Sequence, residues 1–475
     1  MEIIGREAEK QRLEDIYASK NSEFLVVYGR RRVGKTYLIK QHFENRFTFS
    51  VTGMYKQPKE VQLSMFGLAL QDYFDIDTPT LASWLEAFVL LRKCLKDSQD
   101  ARKLIFIDEI SWFDTGGNEF VAALEWFWNS WAASESSVFL VVCGSATSWI
   151  TNKLLANKGG LFNRVTCQMF LLPFTLHETE LYLLSKGINW SRYDITECYM
   201  IMGGIPFYLK QLDAKLSYSA NIDNMFFKKN GRLKDEFSHL YNTLFENADF
   251  YIRIVETLSN RPNGMTRDEI CKEAKIADNG YLSNALKNLV NCNCVRCYNY
   301  FGKRKKGLVY QLADYFSMFY MRFIKEHYGR DEHYWSRTID LPTRRSWGGF
   351  MFEQICKDHI EQVKRTIGVS AVVSEQSTWY HKPKEAGQPR GAQIDLLIDR
   401  RDRVINVCEI KFSQSEYVID KDYEAALRRK MGAFRDVTKK RNALHLTMIT
   451  TYGVKKNSYS GIVQSEVVMD DLYAG

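Results

Sequence analysis

Phe24-Leu25-Val26-Val27-Tyr28-Gly29-Arg30-Arg31-Arg32-Val33-Gly34-Lys35-Thr36 is the stretch that decides the fold of this 475-residue chain. Its first five residues are apolar, β-branched or aromatic, the composition of a strand buried on both faces. The run stops at Gly29, and Tyr37 to Phe43 reads as a helix. Strand, glycine-bounded loop and helix form the context that a G-x-x-x-x-G-K-[ST] match requires. Gly29 and Gly34 let main-chain N–H groups close around phosphate oxygens, and the helix N-terminus adds a favourable dipole. Arg30, Arg31, Arg32 and Val33 fill the loop, and Tyr37 comes directly after it. The spacing predicts Lys35 against the β- and γ-phosphates and the Thr36 hydroxyl on Mg²⁺. ATP and Mg²⁺ are therefore the expected ligands.

Two further strands extend this reading. Leu104 to Ile107 ends in Asp108-Glu109. Acids at the end of an apolar strand are costly unless they serve a charge. Asp108 is expected to hold Mg²⁺, and Glu109 to orient or deprotonate the attacking water. Phe139 to Cys143 ends in Gly144-Ser145, which makes Ser145 either a polar sensor of the γ-phosphate or a turn residue. Arg164, in Gly160-Leu161-Phe162-Asn163-Arg164, either supplies a cation to the transferring phosphate or pairs at the surface. The Trp126, Trp128 and Trp131 side chains read as helix packing rather than as a platform for bases.

These residues resemble the archaeal-type ATPases of the AAA+/STAND group, which also occur in bacteria. The resemblance rests on Gly5-Arg6-Glu7, the P-loop, Asp108-Glu109, Cys143-Gly144-Ser145 and Gly203-Gly204-Ile205-Pro206. It implies a helical lid that closes over the nucleotide, with Pro206 beside the adenine and Ile4 to Glu7 near the base.

Thr175 to Leu216 carries an apolar face at helical spacing. Three more helices are expected at Ala248 to Leu258, Thr266 to Glu273 and Asn279 to Val290, the second opened by a Thr266/Glu269 capping box. Strands near Val295 to Tyr300 and Gly307 to Leu312 flank the basic turn Lys303-Arg304-Lys305-Lys306. Three helices and a hairpin predict a winged helix, with either a DNA-reading helix and a phosphate-binding wing or a protein-docking module. Cys292, Cys294 and Cys297 lack a fourth ligand and paired C-x-x-C spacing, so core or edge cysteines are expected rather than zinc.

In the C-terminal third, Gly391-Ala392-Gln393-Ile394-Asp395 begins an apolar strand to Ile398, and a second strand, Val404 to Ile410, carries Glu409-Ile410-Lys411. A hairpin pairing sets Asp395 beside Glu409, while alternation puts Glu409 and Lys411 on one face. Two carboxylates and a lysine suit metal-assisted phosphodiester hydrolysis, and equally a salt-bridged sheet face. The pattern is similar to the PD-(D/E)xK nuclease fold. That likeness implies Asp395, Glu409 and an upstream helical acid, Glu353, as metal ligands and Lys411 as the water-activating cation. Ala392-Gln393 precedes the acid here, with no Pro-Asp pair.

The expected fold class is thus α/β in four parts. They are a P-loop core at 1–172, a helical lid at 173–240, a winged helix at 241–335 and a restriction-endonuclease-like domain at 336–475. A net charge of +8 permits nucleic-acid binding, DNA rather than RNA, without demanding it. Ten scattered cysteines in a chain this long fit reduced thiols. The polar start and strand-length apolar runs predict a cytoplasmic protein without a membrane span. An arginine acting across a subunit boundary would make it an oligomer. Two other accounts compete with a nucleotide-driven nuclease: a STAND-type signalling switch with an inert adaptor tail, and a winged-helix transcriptional regulator.

Overall fold

A computed structural model describes residues 2–145, 147–155, 163–302, 308–327, 330–383 and 391–475. It forms two compact units. One is Met1–Pro173 with Ile205–Phe207 and Asn291–Asn293; the other is Phe174–Gly204, Tyr208–Val290 and Cys294–Gly475. No helix among the described residues is long and apolar enough to cross a membrane.

The first unit is built on five strands: β1 (Glu23–Tyr28), β2 (Phe49–Thr52), β3 (Lys103–Asp108), β4 (Val138–Gly144) and β5 (Cys167–Phe170). They pair in the order β2-β3-β4-β1-β5, all parallel. Every residue of β4 is buried, as expected of a central strand covered on both faces. One face packs Phe49, Ile105, Ile107 and Leu140 against Phe66, Trp84, Phe88, Phe120 and Phe127 from helices Lys59–Phe74, Trp84–Asp97 and Glu119–Ser130. Trp128 lies in that core, so it is packing and not a surface platform. Because β1 separates β4 from β5, the order of strand connection reverses at β1. The loops after β1, β3 and β4 gather at one carboxyl edge, where open α/β sheets hold ligands.

The second unit contains three parts. The first is the helical stretch expected after Thr175, which resolves into Leu176–Ser185 and Arg192–Met202. Thr175 and Glu178 close a full capping box, and Ser191 caps the second helix. Gly204 sits at φ 65°, and a Cβ there would fall 2.1 Å from the Phe174 carbonyl oxygen. Only glycine allows that approach, which gives Gly203-Gly204 a physical reason.

Second come helices Ala248–Ser259, Arg267–Ala274 and Gly280–Asn291 with a three-stranded antiparallel sheet. Its strands are β6 (Met265–Thr266), β7 (Val295–Asn299) and β8 (Leu308–Leu312), in the order β6-β8-β7. The Thr266/Glu269 capping box forms as the sequence predicts. The basic turn Lys303 to Lys306 lies outside the described residues.

Third is a mixed sheet of β9 (Ser374–His381), β10 (Ala392–Arg400), β11 (Val404–Lys411), β12 (Ala443–Thr450) and β13 (Ser465–Val468). Strands β9, β10 and β11 are antiparallel, whereas β12 and β13 run parallel to β11. Helix Lys421–Thr438 makes the crossover from β11 to β12 and buries Phe434 against Trp379 and Ile394. Helix Pro342–Asp358 reaches the same sheet through Phe352, whose ring lies 5.2 Å from that of Phe412.

Hydrogen bonds tie the first of these parts to the third. Leu176 N–H donates to His359 Nε2 at 3.0 Å, which fixes the proton of that buried ring on Nδ1, toward Ile355 O. The Tyr473 hydroxyl donates to Arg192 O at 2.9 Å.

Candidate functional site

Lys35 is the centre of the first cluster. Its side chain is buried, and Nζ donates to Gly29 O at 3.1 Å and Arg30 O at 2.9 Å. Burial pulls its ammonium below the ordinary lysine range, while Cys143, Glu109 and Asp108 oppose that. The loop around it needs its glycines. Gly29 has φ 143°, and a Cβ there would lie 2.5 Å from Leu171 O; Gly34 has φ 93°. Arg30 and Val33 are buried, and Arg31 is half-buried.

The Arg32 guanidinium sits 4.1 Å from the centroid of the Phe207 ring, so the Ile205–Phe207 segment with Pro206 belongs beside the loop. Tyr37 is exposed. Arg6, in a left-handed turn, donates to Leu172 O at 2.6 Å and Val33 O at 3.4 Å. It thereby braces the loop from behind.

Thr36 Oγ1 donates to the Asp108 carboxylate at 2.9 and 3.1 Å. That pairs a hydroxyl with a buried acid, the hard oxygen donors a Mg²⁺ ion takes. Glu109 comes next in a left-handed conformation at φ 46°. Ser145 donates to it from Oγ at 3.1 Å and from N–H at 3.4 Å. Burial raises the Glu109 carboxyl above its ordinary value, and Lys35 counteracts this. The main-chain cradle, the buried ammonium and the hydroxyl–carboxylate pair fit a polyphosphate and a divalent cation. Arg164 is exposed in the turn before β5. None of the hydrogen bonds or ion pairs among the described residues links it to the loop or to Asp108 and Glu109.

Elsewhere the cysteine reading is supported by burial. Cys292 and Cys294 are buried. On helix Gly280–Asn291, Lys287 is exposed.

The second cluster lies in the mixed sheet. Leu396 pairs with Cys408 across β10 and β11, so Asp395 and Glu409 are next in antiparallel register. The pairing of β10 with β9 slips by one residue between Ile394 and Leu397. Such a bulge re-aims a side chain, here at Asp395. Glu409 is buried and fully engaged. Lys430 Nζ lies 2.6 Å and Lys411 Nζ 3.0 Å from its oxygens, and the Tyr423 hydroxyl donates at 2.7 Å. Burial raises its carboxyl, but Lys430 and Lys411 outweigh that and hold it below the ordinary range.

The expected triad of Glu353, Asp395 and Glu409 does not assemble as a metal-holding group. No three His, Cys, Asp or Glu side chains do so among the described residues. The reason is that Lys430 and Tyr423 take the Glu409 oxygens. Neither partner stands out in the sequence. Both sit on helix Lys421–Thr438, seven residues apart and so on one helical face, which is the signal that could have found them.

Glu353 behaves differently from Glu409. Burial, and after it the charge of Asp395, pushes its carboxyl up to about 8. It is therefore protonated at neutral pH. A carboxyl raised above its unfolded value of 4.5 weakens the fold as pH climbs from 4.5 toward 8, because the unfolded chain releases the proton first. The penalty reaches on the order of 5 kcal/mol. In metal-free buffer, Glu353→Gln is expected to flatten the decline in melting temperature between about pH 5 and about pH 8. Parallel melting curves for the two proteins would exclude this.

Against known proteins, residues 3–212 match the family of ATPase domains found predominantly in Archaea. Over 423 residues the chain is 26% identical to the protein MJECL04 of Methanocaldococcus jannaschii, covering 86% of this chain and 87% of that one. Among solved structures it is similar to the Walker-type ATPase PABY2304 of Pyrococcus abyssi, with a TM-score of 0.47 and 16% identity, over 67% of this chain and 96% of that chain. It is also similar to the ADP form of the Aeropyrum pernix ORC2 protein, with a TM-score of 0.40 and 11% identity, over 69% and 94%.

Proposed function

We propose that this P-loop ATPase, whose nucleotide engine is residues 3–212, uses bound ATP to control a second unit that acts on DNA. Lys35 and the loop amides grip the β- and γ-phosphates, and Ser145 holds Glu109 toward the water that attacks. Thr36 and Asp108 would hold Mg²⁺, which would supply positive charge to the phosphates. The single observation that carries the nucleotide part is the buried Lys35 ammonium at the centre of the glycine loop, beside the Thr36–Asp108 pair.

For the second unit, helices Ala248–Ser259, Arg267–Ala274 and Gly280–Asn291 with their three-stranded sheet support a winged helix. The juxtaposition of Asp395, Glu409 and Lys411 on β10 and β11 supports a nuclease-like tail. Asp395 would offer an oxygen donor to a divalent ion, Glu409 could join it only after release from Lys430 and Tyr423, and Lys411 would offset charge on the scissile phosphate.

One observation favours the runner-up, a nucleotide switch with a non-cleaving tail. Glu409 is already neutralised by Lys411 and Lys430. Incubating the full chain with supercoiled plasmid, in Mg²⁺ or Mn²⁺ and with or without ATP, separates the two. Nicking or linearisation is expected. Intact plasmid under every combination would leave the switch.

A further inference from the structure

We propose that the cleft of about 570 Å³ between the Arg261–Gly264 turn and β9 binds the unpaired end of a single-stranded nucleic acid and leads it to Asp395. Tyr298 on β7, Tyr300 just beyond it, and Trp379 and Tyr380 on β9 line this cleft, with Lys357 and Lys382. The two segments are joined by the bridge of Tyr300 with Thr378 and by the Phe301 N–H donating to Thr378 O at 2.8 Å. The aromatic walls are therefore part of one folded surface.

Tyr380, which lines the cleft, is 53% exposed, so its ring face is open to a base. Aromatic faces stack on any base, for about 1–3 kcal/mol each, and two ammoniums answer the phosphates between them. A duplex keeps its base faces stacked inside and offers these rings nothing. The volume also falls in the range of ligand pockets, about 300–1,000 Å³, which suits a nucleotide or so rather than a helix.

The cleft also touches the candidate acid. Asn263 Nδ2 donates to Gln393 Oε1 at 3.1 Å, and Gln393 Nε2 donates to Asp395 Oδ1 at 2.5 Å. A base edge or phosphate that draws Asn263 away would thus be felt at Asp395 through a single amide. Cleavage at Asp395 is part of the proposed function, and only the fate of the bound strand rests on it; binding in the cleft does not.

The test is fluorescence anisotropy of labelled oligo-dT, oligo-U and a blunt hairpin duplex with the full chain in EDTA. Single strand is expected to bind more tightly than the blunt duplex. Tyr380→Ala should lower that affinity about 5- to 100-fold at unchanged melting temperature. Lys382→Ala should weaken binding and reduce its salt slope by about 1. Either strand chemistry satisfies the proposal, and an oligo-U preference would point to RNA. It is overturned if the blunt duplex binds as well as single strand, if no oligonucleotide binds, or if both variants bind like the parent. A strand that binds yet survives after Mg²⁺ is restored would sink cleavage and leave this cleft standing.

Discussion

Lys35→Ala is expected to lose magnesium-dependent ATP binding and turnover together, by about 10²–10³-fold or more in each. The ammonium is buried within the loop that carries it, held by two of the loop's own carbonyls. A cation kept out of water and already oriented interacts with phosphate oxygens far more strongly than a solvated one. Its removal also strips Glu109 and Asp108 of the neighbour that offsets their charge. The Glu109 carboxyl, already raised by burial, should then rise further, leaving less of it ionised to accept a proton. Calorimetric titration with ADP and Mg²⁺, and phosphate release, are the measurements; unchanged affinity in a folded variant would remove the loop from the mechanism.

The first unit was legible because its chemistry is local. Glycine, lysine and threonine at fixed offsets, with a buried strand before and a helix after, leave few alternatives for Gly29 to Thr36. The strand ends at Asp108-Glu109 and Gly144-Ser145 were readable for the same reason, since charge or hydroxyl at the end of an apolar run is costly without a purpose. The short edge strands Phe49–Thr52 and Cys167–Phe170 were not. Their few residues carry no clear period, and they are strands because β3 and β1 offer them partners.

The tail shows the opposite limit. Alternation and turn length gave the pairing of Asp395 with Glu409. The residues that decide their state come from a helix later in the chain, and from a turn about 130 residues earlier. Lys430, Tyr423 and Asn263 reach these acids only through tertiary packing, and pairing between distant residues leaves little trace in a single sequence. The result is a site whose acids are visible and whose charge balance is not.

That balance makes the second large effect specific. Asp395→Ala and Lys411→Ala are each expected to abolish metal-dependent cutting of nucleic acid, a fall of about 10²–10⁴-fold, while ATP turnover continues. The two substitutions act in different ways. Asp395 is half-buried at the bulge of β10, and no ammonium among the described contacts lies within ion-pair distance of it. Removing it takes away an oxygen donor and lowers the Glu353 carboxyl, which Asp395 otherwise helps to raise. Lys411, by contrast, shares Glu409 with Lys430, so its loss still leaves that acid paired at 2.6 Å. The fold should therefore survive Lys411→Ala, and the lost activity would report on the missing cation at the phosphate. Glu409→Ala is the poorer probe, because it removes the shared partner of two half-buried ammoniums and of the Tyr423 hydroxyl and is expected to destabilise the tail. End-labelled oligonucleotides cut by the parent chain and left whole by both variants, at equal melting temperatures, are the expected result. Cutting that persists in Asp395→Ala would place the chemistry elsewhere in the preparation and leave the mixed sheet as a docking module.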